Sequence, residues 1–298
     1  MNNKIIIITG LTASGKSNLA MKIAKEFNGE IISADSVQIY KNLNIGSAKE
    51  PVSNREEIPH HLIDIKEPNE NYNVGEFIND CNKSINSIIS KNKLPIIIGG
   101  TGMYVKALVD GYSLGGTSAN QDFRTNYENI AKEHGNQRVW QDLNELNPQK
   151  AKTVHYNNLK RVIRYLEIEK FGNNTTSMPS ILANYDVCLV GIIDDREHIY
   201  NKINLRVDQM IDQGLENEVT KLYHSGITRD MQSVNSIGYK EWFDYFEGKQ
   251  DKVTTINLIK QHTRNYAKRQ LTFLKTIKSI KLLNYTEAEK TIRSFLND

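Results

Sequence analysis

Residues 4–35 decide the fold and read KIIIITGLTASGKSNLAMKIAKEFNGEIISAD. Lys4–Thr9 is a short apolar run rich in isoleucine, which predicts a buried strand. A glycine-containing turn follows, and Lys16–Phe27 then has the apolar spacing of a helix. Glu30–Ala34 predicts a second strand, with Asp35 at its carboxyl end. A strand, a helix and a strand in this order form a βαβ unit, which indicates a parallel sheet covered by helices.

The eight residues Gly10–Ser17, which form the turn and the first two positions of the helix, match the phosphate-binding pattern G-x-x-x-x-G-K-[S/T]. Backbone N–H groups of such a loop converge on an anion, and the N-terminus of the following helix adds its dipole. Lys16 supplies a positive charge, and Ser17 offers a hydroxyl group to a magnesium ion. The predicted diphosphate or nucleotide site is formed by Gly10, Leu11, Thr12, Ala13, Ser14, Gly15, Lys16 and Ser17.

The remaining hydrophobic patterns divide the chain into two parts. A helical pattern at Glu76–Ser90 leads to a buried strand, Leu94–Ile98, and to a second glycine-rich loop. Strand patterns are absent from residues 123–172 and return at Val187–Ile193. We therefore expect an α/β protein: a P-loop NTPase-like parallel sheet with helices on both faces, plus an all-helical insertion domain. The predicted bounds are 1–114 and 184–298 for the catalytic body and 115–183 for the insertion.

The composition is that of a globular protein. Hydrophobic residues make up 39% and charged residues 24% of the 298 residues, which excludes collagen-like, rod-like and wholly disordered chains. The two cysteines cannot form a disulfide framework. The isoleucine run near the N-terminus is too short for a signal peptide or a membrane span. We expect a cytoplasmic protein that does not associate with membranes.

The phosphate loop alone leaves several classes of protein open. The strand Leu94–Ile98 is followed by Gly-Gly-Thr, where a motor ATPase or GTPase usually carries an acidic magnesium ligand. Asp35 follows a parallel strand at the edge where ligands bind, so it could accept a proton from a nucleophile; it could equally cap the next short helix. A pyrophosphate-handling transferase, an ATP-dependent small-molecule kinase and a non-catalytic RNA-binding protein all remain possible at this point.

The C-terminal part of the chain concentrates positive charge. The net charge is only +3, yet residues 252–281 contain eight lysines and arginines and no Asp or Glu. Such segregation is typical of a surface that binds a polyanion, although an ordinary basic surface helix has the same composition. We predict that Lys240, Arg264 and Lys268 position RNA phosphates without reading base sequence.

Nine strings, spread in order along the whole chain, resemble the tRNA dimethylallyltransferase (isopentenyltransferase) family in its bacterial form. They are Gly10–Ser17, Asp35–Tyr40, Ile45–Lys49, His60–Asp64, Gly99–Tyr104, Leu159–Arg164, Arg206–Met210, Ile237–Glu241 and Thr263–Gln270. Leu11 stands where this family usually has proline, and Asn235 and Asn265 stand where glutamine is frequent. None of these three positions is assigned to chemistry.

The resemblance implies a reaction. A dimethylallyl group moves from dimethylallyl diphosphate to the exocyclic N6 amine of the adenine on the 3′ side of the anticodon in tRNA, and diphosphate is released. By resemblance, Asp35 is the general base, Lys16 and Arg206 neutralise the departing diphosphate, and Thr101 lies near the reacting centre. Mg²⁺ is the implied cofactor, near Ser17 and without a dedicated protein cage.

The resemblance also implies where tRNA binds. The residues implied near the target adenine are Asp35, Ser36, Val37, Gln38 and Thr101. The residues implied at the anticodon loop lie on the insertion and are Leu159, Lys160, Arg161, Val162 and Ile163. We expect a monomer, because the anticodon stem-loop and the prenyl donor must approach one body from opposite sides.

Overall fold

The computed structural model describes residues 3–113, 120–172 and 177–298. The chain divides into two compact units, Gly111–Pro179 and a larger unit made of Met1–Asp110 with Ser180–Asp298. The smaller unit begins and ends four residues before the predicted insertion of 115–183. Residues 115–119 and 173–176 of that predicted insertion lie outside the described residues.

The described residues form eight strands and thirteen helices. The strands are β1 (Lys4–Gly10), β2 (Gly29–Ser33), β3 (His60–His61), β4 (Leu94–Ile98), β5 (Tyr112–Ser113), β6 (Ser177–Met178), β7 (Asp186–Ile192) and β8 (Lys281–Leu283). The helices are α1 (Lys16–Glu26), α2 (Val52–Glu57), α3 (Val74–Ser90), α4 (Gly102–Asp110), α5 (Gln121–His134), α6 (Asn136–Leu146), α7 (Pro148–Ala151), α8 (Leu159–Phe171), α9 (Arg196–Asp212), α10 (Leu215–His224), α11 (Glu241–Phe246), α12 (Lys252–Leu274) and α13 (Tyr285–Asn297). Across the described ranges, no helix combines the length and the apolar character needed to cross a membrane.

A six-stranded parallel sheet, in the order β3-β2-β4-β1-β7-β8, forms the centre of the larger unit. Successive side chains of β1 point to opposite faces. Ile6 and Ile8 pack with α1 and α13 on one face. Ile5 and Ile7 are fully buried on the other, where α3 contacts β2 and β4 and α12 contacts β1. Burial on both faces explains why the strand is a continuous apolar run.

The strand order brings three loops together at the carboxyl edge of the sheet. Because β4 lies between β2 and β1, the phosphate loop after β1, the glycine-rich loop after β4 and the turn at Asp35 after β2 are neighbours. The hydroxyl of Thr9, at the end of β1, donates to the carbonyl oxygen of Gly99 at 2.9 Å. The backbone N–H of Ala34, after β2, donates to the carbonyl of Ile98. Residues far apart in the chain therefore form one edge.

The smaller unit packs α5, α6, α7 and α8 around its own apolar core, which includes Val139, Leu143 and Leu166. Glu167 is fully buried there. It pairs with Arg124 and Arg164 and accepts a hydrogen bond from the backbone of Asn120. The short strands β5 and β6 pair antiparallel. The sequence does not predict this pair, because two-residue strands are too short to show alternation.

The end of the chain adds structure that the sequence analysis does not predict. β8 extends the sheet beside β7, and α13 covers the same face as α1. Asn284 and Glu287 form a capping box at the start of α13, which satisfies N–H groups of its first turn. Ala288, Ile292 and Leu296 then bury one face of the helix.

Candidate active site

The phosphate loop has the geometry of an anion-binding turn. Gly15 has φ 88° and ends the loop as the N-cap of α1, and no side chain of the described residues is hydrogen-bonded to the first helical N–H groups. Ala13 also has a positive φ, 60°. The hydroxyl oxygen of Ser14 is buried and has no hydrogen-bond partner within the described residues. Because buried polar atoms are normally paired, this hydroxyl and the helix N-terminus fit a bound anion.

Two buried cations, Lys16 and Arg206, interact electrostatically with each other at this loop. The ammonium of Lys16 donates to the carbonyl oxygens of Leu11 at 2.6 Å and Gly10 at 3.2 Å. Burial and the positive charge of Arg206, on α9, lower the pKa of Lys16 to about 7, against the opposing charge of Asp35. Burial also lowers the pKa of Arg206, and Asp35 again opposes the shift. Two desolvated cations beside each other favour an anionic ligand.

Asp35 is held by its own turn. Its Oδ1 accepts hydrogen bonds from the backbone N–H groups of Val37 at 2.8 Å and Gln38 at 3.3 Å. Its negative charge acts on both cations and helps to raise the pKa values of Tyr104 and Tyr266, in which burial is the largest cause. The residues after Asp35 form this turn and not the short helix that a capping role requires, and the turn fixes a carboxylate that interacts with the site's charges.

Thr101 joins the second glycine-rich loop to the Asp35 turn. Its Oγ1 accepts a hydrogen bond from the backbone N–H of Ser36 at 3.0 Å and lies 3.3 Å from the hydroxyl oxygen of Ser36. Its carbonyl oxygen accepts from the N–H of Tyr104 in the first turn of α4. The structure thus brings Thr101 together with the turn of Asp35 and Ser36.

Gln270, a residue of α12, also holds the two loops in place, and the sequence analysis assigns it no role. Its Oε1 accepts from the backbone N–H of Thr12 at 2.8 Å, and its Nε2 donates to the carbonyl of Gly100 at 3.0 Å. A Cβ at Gly100 would lie 2.6 Å from that Nε2, so a larger residue there would displace the amide from these hydrogen bonds. A signal was present: Gln270 falls on the buried face of α12 with Ala267 and Leu274.

The insertion string divides into surface and core residues. Lys160 and Arg161 are exposed at the start of α8, and Leu159 is half-buried. Val162 is 0% and Ile163 is 3% exposed, both within the apolar core of the smaller unit. The helical phase therefore directs these two side chains inward, away from the surface, and the contact of the Leu159–Ile163 string with the anticodon loop stays a prediction. The guanidinium of Arg161 lies over the Tyr165 ring and donates to its hydroxyl at 2.9 Å.

The basic C-terminal helix is less positive than its sequence indicates. Lys260 pairs with Asp208 of α9 at 2.6 Å, and Lys252 pairs with Glu216 of α10. Arg264 is half-buried and donates to the side-chain oxygen of Asn204 at 2.6 Å. Lys240 and Lys268 are exposed. The sequence could not show this compensation, since the acidic partners lie on other helices.

The lowered pKa of Lys16 predicts that inorganic diphosphate binds with uptake of a proton. At pH 8 and without a bound anion, the side chain of Lys16 is largely the uncharged amine, since its pKa is about 7. A bound anion favours the charged form and raises this pKa, so affinity should fall as pH rises above 7. Isothermal titration calorimetry at pH 8, in buffers of different ionisation enthalpy, measures the uptake.

The variant Lys16→Met separates this uptake from the ionisation of diphosphate itself. We expect fewer protons to be taken up by the variant than by the natural protein at pH 8, and equal numbers at pH 6. Equal proton uptake by the two proteins at pH 8 would show that Lys16 is not the titrating group.

Comparison with known proteins assigns the chain to a family. A family model described as IPP transferase matches residues 38–277, and another described as Isopentenyl transferase matches residues 3–64. A tRNA dimethylallyltransferase from Bacillus anthracis is 43% identical over 293 residues, which cover 97% of this chain and 93% of that relative.

Solved structures of similar proteins support the same family assignment. A tRNA isopentenylpyrophosphate transferase from Bacillus halodurans matches with a TM-score of 0.73 and 38% identity, over 99% of this chain and 96% of that chain. A eukaryotic dimethylallyltransferase acting on tRNA matches with a TM-score of 0.74 and 27% identity, over 96% of this chain and 75% of that chain. The predicted P-loop NTPase-like fold is confirmed, and the kinase alternative is not favoured. The chain belongs to the IPP transferase family of tRNA dimethylallyltransferases.

Proposed function

We propose that this enzyme transfers the dimethylallyl group of dimethylallyl diphosphate to N6 of the adenine that follows the anticodon on its 3′ side in tRNA. The observation that carries the proposal is the electrostatic interaction of one carboxylate, Asp35, with two buried cations, Lys16 of the phosphate loop and Arg206. A base for the amine and the counter-charges for the leaving diphosphate therefore lie within electrostatic range of each other.

The proposed step has three coupled changes. The adenine N6 forms a bond to C1 of the dimethylallyl group, the bond from C1 to the diphosphate oxygen breaks, and an N6 proton passes to the Asp35 carboxylate. An adenine amine becomes acidic only as the new bond forms, so the base is needed late. Lys16, Arg206 and the N–H groups of the phosphate loop stabilise the negative charge of the departing diphosphate, which is the largest expected contribution.

We propose Mg²⁺ as the cofactor. Ser17 is exposed in the first turn of α1, and its hydroxyl oxygen is a ligand type that Mg²⁺ accepts. Over the described part of the chain, no group of three or more His, Cys, Asp or Glu side chains could hold a metal ion. Diphosphate oxygens and water would therefore supply the other ligands, and the bound ion would offset diphosphate charge.

We propose that tRNA contacts each unit through surface residues. The target adenine must leave its stack, at a cost of a few kcal/mol, and would lie near Ser36, Val37, Gln38 and Thr101. Lys160 and Arg161, with Leu159 beside them, would contact the anticodon loop. Lys240, Arg264 and Lys268 would contact phosphates. Because the substrate is tRNA, we place the reaction in the cytoplasm, and we propose a monomer as the active form.

Mass spectrometry of digested nucleosides tests this function. Unmodified tRNA is incubated with the protein, Mg²⁺ and dimethylallyl diphosphate. We expect adenosine to gain one C5H8 unit at the position 3′ of the anticodon. A matched reaction with ATP as the only possible donor should leave both ATP and adenosine unchanged. ATP consumption together with unmodified adenosine would overturn the proposal in favour of a kinase.

The proposed phosphate contact of Lys268 predicts a change in the salt dependence of tRNA binding. Lys268 is exposed on α12 and makes no ion pair in the ranges that the structure describes. Lys268→Ala should weaken binding and reduce the slope of log affinity against log salt by about 1. Filter binding across a salt series measures both. Lys83→Ala, on α3, removes an exposed lysine outside the proposed surface and should leave the slope unchanged; an equal change in both variants would contradict the assignment.

A further inference from the structure

A carboxylate from α10 occupies a cup of backbone N–H groups in the loop before α2. Glu218 accepts hydrogen bonds from the N–H groups of Asn44 at 2.9 Å, Ile45 at 2.8 Å and Gly46 at 3.2 Å. Successive N–H groups that converge in this way form an anion-binding nest. Here the anion is the side chain of Glu218, which belongs to the same chain. Helix α10 therefore fixes the shape of a loop that lies 172 residues earlier at Gly46.

Tyr239 completes the same cup. Its hydroxyl donates to Glu218 Oε1 at 2.7 Å and accepts from the N–H of Ser47 at 3.1 Å. The side chain is fully buried. Burial and the charge of Glu218 raise the pKa of Tyr239, so the hydroxyl keeps the proton that it donates. The Tyr239 ring packs against Gly46 so closely that a Cβ at Gly46 would lie only 2.6 Å from the nearest ring atoms.

A chain of hydrogen bonds continues from this cup to Asp35. The side-chain amide of Gln38 donates to the carbonyl oxygens of Ser47 at 3.2 Å and Ala48 at 3.3 Å. Its oxygen accepts from the hydroxyl of Ser33 at 3.0 Å. The backbone N–H of Gln38 donates to Oδ1 of Asp35 at 3.3 Å. The turn at Asp35–Gln38 holds the carboxylate of Asp35, and the loop at Ser47 and Ala48 in turn holds Gln38.

We propose that Tyr239 and Glu218 are positioning residues for Asp35, acting through Ser47 and Gln38. The inference rests on the proposed function, since it assumes that Asp35 is the base. A misplacement of about 1 Å by a distant mutation can cost about 10²-fold in rate, so loosening this path should lower kcat. The path also gives a role to the strings Ile45–Lys49 and Ile237–Glu241, which the reaction itself does not use.

Tyr239→Phe is the first test, because it removes one hydroxyl and keeps the ring against Gly46. We expect kcat to fall about 10–100-fold, with KM for tRNA and for donor within about threefold of their original values. Tyr245→Phe is the matched control. Its hydroxyl joins α11 to α10, the helix that carries Glu218, by donating to Glu216 at 3.1 Å, but it lies outside the path, so kcat should not change. Glu218→Gln is a second variant of equal volume and should also lower kcat.

A double-mutant cycle separates positioning from loss of fold. If Tyr239 acts through Asp35, Tyr239→Phe should cause no further loss of kcat in an Asp35→Ala background, measured by single-turnover mass spectrometry. A further loss of the same factor in that background would overturn the inference, as would an unchanged kcat in Tyr239→Phe and Glu218→Gln. If Asp35→Ala alone retains the original kcat, the proposed base is wrong, and the inference is overturned with it.

Discussion

Replacement of Asp35 by asparagine should lower kcat for dimethylallyl transfer by about 10²–10⁴-fold, the usual contribution of a general base. Asparagine keeps a side-chain oxygen that can accept from the N–H groups of Val37 and Gln38, so the turn should survive. The charge is lost, and the N6 proton has no carboxylate to receive it. Quenched-flow sampling at saturating tRNA and donor, with the product measured by mass spectrometry, gives kcat.

Binding separates a chemical effect from a structural one. The Asp35→Asn variant should retain tRNA affinity within about threefold, since it keeps the polar surface of the turn. Asp80→Asn is a suitable control, because Asp80 also accepts a hydrogen bond, from the hydroxyl of Tyr72, and lies on α3 outside the site. An Asp35→Asn enzyme with the kcat of the control would show that another group takes the proton.

Arg206→Ala is expected to have the second large effect. Removal of a fixed charge that stabilises a departing anion costs about 10²–10³-fold in rate. Arg206 makes no hydrogen bond or ion pair within the described residues and interacts with Lys16 and Asp35 through charge. Its removal therefore strands no buried partner, and the thermal stability of the protein should change little.

Two measurements test this assignment. The kcat/KM for dimethylallyl diphosphate should fall in Arg206→Ala, and Arg206→Lys should restore part of it, because lysine returns charge without the planar donors. Loss of the Arg206 charge should also raise the pKa of Lys16 above its value of about 7, which reduces the proton uptake on diphosphate binding at pH 8. Lys202→Ala, on the same helix, should change neither quantity. An Arg206→Ala enzyme with the kcat/KM of Lys202→Ala would contradict the role.

Much of the site follows from patterns that are local in the sequence. The run Lys4–Thr9, the phosphate loop and the helix after it are each set by residues within one turn or strand, and the structure forms β1 and α1 there. Asp35 follows β2 as predicted. Short elements such as β3 and β8 escape prediction, because two or three residues carry no periodicity. These short strands form because they pair with β2 and β7, which lie next to them in the sheet.

The contacts that hold the site could not be predicted in the same way. Gln270 reaches the loop at Thr12 across 258 residues, and Glu218 reaches Ile45 across 173 residues. Both depend on how helices pack against the sheet edge. The same is true of Asp208, which neutralises Lys260 from another helix, and of Val162 and Ile163, which turn inward in the smaller unit.

The amino-acid sequence alone therefore established the parallel α/β fold, the phosphate loop, the carboxylate after the second strand and the family. Local periodicity and turn chemistry suffice for the first three, because each is encoded within a few consecutive residues, whereas the family follows from nine short strings spread along the chain. The positions of Asp35 and the two cations relative to each other, and the buried side chains that hold them, were decided by tertiary structure. Strand order and helix packing join residues that no local pattern relates, and burial then decides which of their polar groups must pair.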